Sequence, residues 1–372
     1  MKIQFDREEF QRVFHIAAVV APSRSPKAIL QNIKLIADEQ KVVMMATDTE
    51  VGVKLVVPGV QVEQAGSAIV PVSRLNMILR ESNDETLRME VADTKITLKG
   101  TSSKFQLLGQ NPDEFPDVTD FDEKDYFEIE GRVLKELIKR TIFATDTESS
   151  RYALGGVLLE IADDNMVAVG TDGRRLAKME GPCSKVGKPA GNQGTTIVPT
   201  RSMQLIERIL PDDETKVKVV PRANDLLLQD DKGIFYTRLV EGRFPKWRDV
   251  VPKRTESTKI ELAVGPMYAA LRQAAIVASE ESRGVDFTFE PGNLVLSNET
   301  AEVGQSRVEL PIAFEGESFT IALDHRYVAD FLKVLPPESN FTLDVQGGEQ
   351  AAYCSTDDQY GYVIMPVQRD RR

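Results

Sequence analysis

The chain is poor in the side chains on which most enzyme chemistry and covalent scaffolding depend. Its only cysteines, Cys183 and Cys354, stand 171 positions apart. That spacing excludes a disulfide framework and a close-set metal site, and it fits a reducing compartment. Only two histidines occur, His15 and His325, each within a helical pattern and without a neighbouring ligand. No Gly-rich phosphate loop, nucleophile elbow or Cys/His metal spacing is present. No apolar run approaches the roughly 18 residues of a membrane span, and the stretch "HIAAVVA" is too short. The opening "MKIQFDREEF" is charged and does not read as a signal peptide. Together these absences point to a soluble cytoplasmic chain with no cofactor and no bound metal, and away from a hydrolase or transferase. Positive charge is also scarce: 46 Lys and Arg against 58 Asp and Glu give a net −12. On its face that argues against a nucleic-acid partner.

What the chain has is repetition. "IVPVSRLNMIL" from Ile69 returns as "IVPTRSMQLIERIL" from Ile197, 128 residues later, and a third copy, "IALDHRYVADFLKVLPPES", starts at Ile321, after a further 124. In each, an apolar run leads into a candidate helix cap (Ser73, Thr200, Asp324) and then a helical stripe. The stripes are Leu75, Ile78 and Leu79; Met203, Ile206 and Leu210; and Val328, Phe331, Leu332 and Leu335. Three further segments, from Asn32, Gly155 and Gly284, each read as strand, turn, strand, and each follows another helical pattern. The collinear order implies three tandem copies of one α+β domain, spanning 1–125, 126–253 and 254–372. The seams "TDFDEKDYFEIE" and "VVPKRTESTKIE" are charged, and a period near 125 is domain-sized rather than solenoid-sized.

Charge is segregated along this repeat. The six expected helices, 7–20, 73–82, 131–144, 200–210, 265–278 and 324–335, sum to +6, which leaves −18 on everything else. Helices sharing one face would present a mildly basic surface able to follow a phosphate backbone without reading bases. Ordinary solvated amphipathic helices explain the same numbers, so the split alone decides nothing.

Specific strings carry the argument further. "TDTE" at Thr47, "SSRYALGGV" at Ser149, "GTDGRRLA" at Gly170, "LVEGRFPKWRDVVP" at Leu239, "ESRGV" at Glu281 and "YVIMPV" at Tyr362 together resemble the bacterial sliding clamp family, the beta subunit of DNA polymerase III, over essentially the whole chain. The resemblance implies two helices packed on antiparallel sheets per domain, and a homodimer closing into a six-domain ring around double-stranded DNA. It implies a non-catalytic processivity factor that binds DNA without sequence specificity. It also implies partners, among them the replicative polymerase and the clamp loader, that insert short peptides between domains 2 and 3. A sliding contact needs dispersed charge without register, and an acidic exterior keeps DNA off the outside of the ring.

The resemblance places DNA contacts at Arg24, Arg80, Arg151 and Tyr152; Lys139 and Arg201 are added from the charge pattern and read equally well as solvated surface. Glu148 and Ser73 depart from the common pattern on this side. For the peptide pocket it marks Leu154, Thr171, Gly173, Arg174, Arg175, Leu176, Pro245, Val250, Val363, Met365, Pro366 and Val367. Leu, Val, Met and Pro make an adaptable apolar slot, although Leu176, Val250 and Val363 also suit a plain core. Arg174 stands where histidine is frequent, and the basic "QRDRR" extends past the usual end. For the ring interface the candidates are Phe105 and Leu107 against Ile276 and Val277, flanked by Arg74, Lys99 and Lys104 opposite Glu299 and Glu302. Packing within each domain is the alternative for this group.

Two rival readings remain. One takes Asp48 and Asp172 as metal-binding carboxylates of an enzyme rather than strand-ending turns. The other is a scaffold that binds peptides but not DNA.

Overall fold

The computed structural model describes residues 1–146, 152–162, 164–189, 196–253, 257–279, 283–300 and 303–367. The first repeat runs β1 (Lys2–Asp6), α1 (Arg7–Val20), β2 (Asn32–Ala37), β3 (Val42–Thr47), β4 (Val51–Val57), β5 (Val60–Gln64), β6 (Gly66–Pro71), α2 (Val72–Glu81), β7 (Thr86–Ala92), β8 (Lys95–Lys99) and β9 (Lys104–Leu108). The second runs β10 (Tyr126–Glu130), α3 (Gly131–Lys139), β11 (Gly156–Ala162), β12 (Asn165–Thr171), β13 (Arg175–Pro182), β14 (Ser184–Val186), β15 (Ile197–Pro199), α4 (Thr200–Ile209), β16 (Lys216–Pro221), β17 (Asp225–Gln229) and β18 (Gly233–Arg238). The third runs β19 (Thr258–Ala263), α5 (Val264–Ala274), β20 (Gly284–Glu290), β21 (Asn293–Thr300), β22 (Gly304–Pro311), β23 (Phe319–Asp324), α6 (His325–Lys333), β24 (Asn340–Val345), β25 (Ala352–Ser355) and β26 (Gly361–Ile364). Among the described residues only the β5/β14 position lacks a third-repeat strand.

Each repeat contributes two half-sheets, and adjacent repeats share them. A five-stranded sheet, β5-β1-β7-β8-β9, belongs to the first repeat alone. A nine-stranded sheet, β14-β10-β16-β17-β18-β4-β3-β2-β6, is a second-repeat half fused to a first-repeat half at β18 and β4. An eight-stranded sheet, β15-β11-β12-β13-β26-β25-β24-β19, fuses the second and third repeats at β13 and β26. The last sheet, β22-β21-β20-β23, belongs to the third repeat alone. The chain accordingly divides into two compact units, Met1–Lys135 with Cys183–Asn192 and Arg201–Leu239, and Glu136–Pro182 with Gln193–Thr200 and Val240–Arg372. Hydrogen bonds across each fused sheet outweigh the sequence seams, so the division passes through the second repeat.

Local sequence explains the helices. Asp6 caps α1, accepting a 2.8 Å bond from the Glu9 amide, and Glu8 and Glu9 favour the positive end of the helix dipole. Phe10, Phe14, Ala17 and Val20 are fully buried at helical spacing, and Pro22 follows the last turn. Asp324 caps α6 as expected, through the Arg326 amide at 2.9 Å. Ser73 and Thr200 do not act as caps. Helix α2 starts one residue earlier, with Pro71 at its cap position and Ser73 exposed inside it. Thr200 is the first residue of α4, and its hydroxyl turns back to the Gly155 carbonyl at 2.9 Å. The expected helices 131–144 and 265–278 also stop short, α3 at Lys139 and α5 at Ala274, each followed by a 3-10 turn.

Candidate partner, interface and nucleic-acid surfaces

The "TDTE" and "TDGRR" segments form the same turn twice. Thr47 Oγ1 donates to the Val51 carbonyl at 2.7 Å and accepts from the Thr49 amide at 3.0 Å. Thr171 Oγ1 donates to the Arg175 carbonyl at 2.6 Å and accepts from the Gly173 amide at 3.1 Å. Asp48 accepts from the Glu50 and Val51 amides, and Asp172 from the Arg174 and Arg175 amides. Both carboxylates therefore end strands in turns. The third turn residue takes a left-handed backbone in each copy, φ +82° at Thr49 and +87° at Gly173. Glycine pays nothing there, whereas a threonine costs about 1–2 kcal/mol.

The pocket residues gather around this second turn. Leu176 and Val363 face each other across the β13–β26 join. They form a buried cluster with Phe244 and Trp247, against which Ala153 and Val251 pack. Leu154 is likewise buried. These side chains are a floor, as the core reading anticipated for Leu176 and Val363. Val250, however, is exposed and is not core; Pro245, Met365 and Val367 are exposed too, while Pro366 is half-buried. Backbone bonds hold the three segments: Val250 N to Trp247 O at 3.0 Å, Met365 N to Arg174 O at 2.9 Å, and Val367 N to Ala322 O at 2.8 Å.

Arg175 does something other than line a slot. Its guanidinium is only 10 % exposed and bonds Asp330 of α6 at 2.7 Å, Asp172 at 3.0 Å and the Phe143 carbonyl at 2.6 Å, and it lies 4.4 Å over the Tyr327 ring. Burial works against its charge, but Tyr362, Asp330 and Asp172 more than offset that, and the group stays protonated above the ordinary arginine range. Arg174, by contrast, is exposed.

The interface candidates lie at two sheet edges. In β9, Phe105 is exposed, Leu107 half-buried and Leu108 80 % exposed. Beside β22, Ile276 is 76 % exposed and Val303 56 %, with Val277 half-buried. Arg74, Lys104 and Glu299 are exposed, while Lys99 is held by Glu90 at 2.8 Å. Glu302 lies outside the described residues. Leu108 and Val303 escaped the sequence reading, although the run "KFQLL" already had too many apolar residues for a strand with one buried face. Of the nine large apolar side chains exposed among the described residues, seven fall at the pocket rim or at these two edges. Scattered exposure would not concentrate in this way.

The proposed DNA contacts are mostly engaged. Arg80 pairs with Glu81 at 2.8 Å, Lys139 with Glu136 at 4.0 Å, and Arg201 with Asp48 at 2.6 Å. Arg24 is exposed and carries no ion pair among the described residues. Tyr152 opens the 3-10 turn Tyr152–Leu154, and Arg151 lies outside the described residues. The exposed Arg80 and Lys139 pairs are worth about 0–1 kcal/mol, so a phosphate can displace their carboxylates, whereas Asp48, the partner of Arg201, is buried. Among the described residues no cluster of metal-ligating side chains occurs, and no helix is long and apolar enough to cross a membrane.

Models of the N-terminal, central and C-terminal domains of the DNA polymerase III beta subunit match residues 1–119, 128–246 and 248–368. The beta sliding clamp of Chlamydia trachomatis is 28% identical over 369 residues, 99% of this chain and 87% of that protein. That of Pseudomonas putida is 28% identical over 378 residues, 99% of this chain and all of its own. In shape, the sliding clamp of Bacillus subtilis matches all of both chains with a TM-score of 0.91 at 23% identity. The Pseudomonas aeruginosa clamp bound to griselimycin matches 99% of this chain and 100% of its own, with a TM-score of 0.91 at 24% identity. With all three domain models falling in order along three structural repeats, the chain belongs to the DNA polymerase III beta subunit family, the bacterial sliding clamps.

Proposed function

We propose that this chain is a DNA sliding clamp that works as a ring of two copies, encircling duplex DNA and tethering the replicative polymerase without catalysing a reaction itself. One observation carries the ring. Strands β4 and β13 occupy the same place in successive repeats, and each joins the last strand of the next repeat, β18 or β26. Among the described residues, the two strands left without such a partner are β22, in the β4 position, and β9, in the β18 position. A head-to-tail contact between β22 of one copy and β9 of another makes the same join a third time, and two copies close it. Domains 1–125, 126–253 and 254–372 are then six near-equivalent sectors. The test is retention on DNA after loading. The protein stays on closed circles and is lost from linear duplexes of the same sequence. Equal retention on both means surface binding, and the ring reading fails.

The rim of Val250, Met365 and Val367 over the Leu176–Val363 floor takes the peptide anchors of partner proteins. Burying an aliphatic anchor there contributes about 1.5–3 kcal/mol. The double substitution Val250→Asp with Met365→Asp weakens a labelled Gln- and Leu-bearing peptide at least about tenfold in fluorescence polarisation, corresponding to about 1.4 kcal/mol. The chain's mass in solution stays unchanged. Full affinity in that variant places the pocket elsewhere.

A further inference from the structure

Given the peptide-pocket reading above, on which this inference rests, we propose that Glu160 is a positioning residue for peptide binding. Through Trp247 and Arg248 it holds the 244–251 segment, and with it Val250, against the sheet. The segment has little else to fix it. Among the described residues, the backbone hydrogen bonds of residues 244–251 all stay inside the segment: Trp247 N to Pro245 O at 2.7 Å, Asp249 N to Lys246 O at 3.0 Å, and Val250 N and Val251 N to Trp247 O at 3.0 and 3.3 Å. What meets the sheet is a pair of buried rings, Phe244 and Trp247, in one cluster with Leu158, Val167, Leu176 and Val363. Apolar burial is non-directional, so it holds the segment down without fixing its turn. Val250 and Val251 both donate to the Trp247 carbonyl, so Val250 follows wherever Trp247 turns.

Glu160 supplies the direction. It stands in β11, beside Val167 of β12 and, one strand further, Glu180 of β13. Its side chain is only 13 % exposed. Oε1 accepts from the Trp247 indole Nε1 at 3.3 Å and from Arg248 Nη1 at 3.2 Å, and Oε2 accepts from Arg248 Nη2 at 2.6 Å. The Arg248 guanidinium in turn lies 4.2 Å from the centre of the Trp247 ring. One carboxylate thus takes a two-pronged charge-assisted contact and satisfies the single donor of a buried indole, which fixes ring and turn together. Glu180 does not substitute for it. Bonds to Lys178, and to Asn165 at 2.9 Å, hold Glu180 in place, although it too feels the Arg248 charge. A binding surface built on a loop is only as precise as the groups that lock it from behind.

Trp247 is the only tryptophan in the chain, so its fluorescence reports this contact directly. In the full chain, Glu160→Ala shifts Trp247 emission to the red and raises its quenching by acrylamide. The same variant weakens the labelled Gln- and Leu-bearing peptide about tenfold in polarisation, the size of one buried hydrogen bond lost. Glu160→Gln keeps an acceptor for the indole but loses the ionic fork, and it recovers part of the affinity; this conservative variant also separates positioning from a general failure to fold. Shifted Trp247 emission with unchanged peptide affinity overturns the proposal, because Glu160 then holds the segment without acting on the pocket. So does a weakened peptide with unchanged Trp247 emission, or with no recovery in Glu160→Gln. The Val250→Asp, Met365→Asp variant tells the two readings apart. Full affinity there removes the pocket reading and the role of Glu160 with it, whereas lost affinity there with full affinity in Glu160→Ala removes the role of Glu160 alone.

Discussion

Leu108→Asp turns a two-chain assembly into single chains of 41.4 kDa, read by light scattering at sub-micromolar concentration. Leu108 is 80 % exposed at the end of β9, an edge strand whose repeat counterparts are both paired. In the proposed ring it would be buried against the apolar side chains beside β22. The substitution removes about 1.5–3 kcal/mol of burial and puts a charged, hydrated carboxylate into an apolar contact, with Lys95 opposite it across β8–β9. A two-chain ring contains the join twice, so one substitution damages both contacts. Val56→Asp, an equally polar change on an exposed residue away from both edges, leaves the mass at two chains. If the Leu108→Asp protein keeps that mass, β9 is not the closing edge.

A mixing experiment sharpens the same result. Ile276→Asp damages the other side of the join and also gives single chains. A Leu108→Asp chain keeps an intact β22 edge, and an Ile276→Asp chain keeps an intact β9 edge. Mixed one to one, they form a pair with one sound join and one doubly damaged join. The pair has the mass of two chains but is not retained on closed circular DNA, because it does not close. A contact of β9 with β9 predicts no such rescue, since the mixed pair's single contact then always carries one damaged strand.

The sequence and the structure agree best where one local pattern decides the outcome. The threefold order of helices and hairpins was readable because strand and helix periods alternate cleanly, and α1 ended where its Asp6 cap and Pro22 required. The joins were not readable. "GIFYTR" and "GYVI" look like ordinary strands, and nothing local says that each pairs with the preceding repeat rather than closing its own sheet. The same blindness applies to Arg175. Its partner Asp330 is 155 residues away, and only the β13–β26 register brings them together. Leu176 and Val363 were pocket candidates from their motifs, but their burial depends on a cluster shared with Trp247 and Phe244, which no local pattern shows.

The two joins also differ in how far their surfaces are filled. Beside the β4–β18 join, Met45, Ile69, Phe115 and Val118 form a buried cluster with Tyr236 packed on it, the counterpart of the cluster at β13–β26. Its floor and rim differ. Gly52 stands where Leu176 does, and Val118 presses onto it so closely that an added Cβ would lie 2.9 Å from a Val118 methyl. By strand register Arg238 takes the place of Met365, and it reaches Glu50 at 3.6 Å. Lys54 binds Asp120 at 2.6 Å. The first join is thus filled and ion-paired, whereas the second keeps three apolar side chains exposed.

Arg175→Ala is the substitution within one chain expected to cost most. Val51 takes the Arg175 position at the β4–β18 join and is buried, so an arginine is not required to join two repeats. What Arg175 adds is a bond network linking the 172–174 turn, the Phe143 carbonyl and α6 around one side of the pocket. Removing it leaves Asp172 with its backbone amides and Asp330 with only the more distant Lys333, at 3.3 Å. Losing one partner of a buried pair costs about 3–5 kcal/mol. Amide exchange in β13 and α6 should then quicken by more than about a hundredfold, with β3 and β4 in the other unit unchanged. Arg175→Lys keeps the charge but loses the two-sided fork and the stacking on Tyr327, and falls between wild type and alanine. Pairing Arg175→Ala with Asp330→Asn removes the stranded carboxylate and recovers about 1 kcal/mol or more, the signature of direct coupling. Peptide affinity separates support from shape. If the network holds the rim in place, Arg175→Ala weakens the peptide although Arg175 does not touch it, and Arg175→Lys restores part of the loss. Additive stability effects with unchanged affinity would instead make the network a fastening of α6 alone.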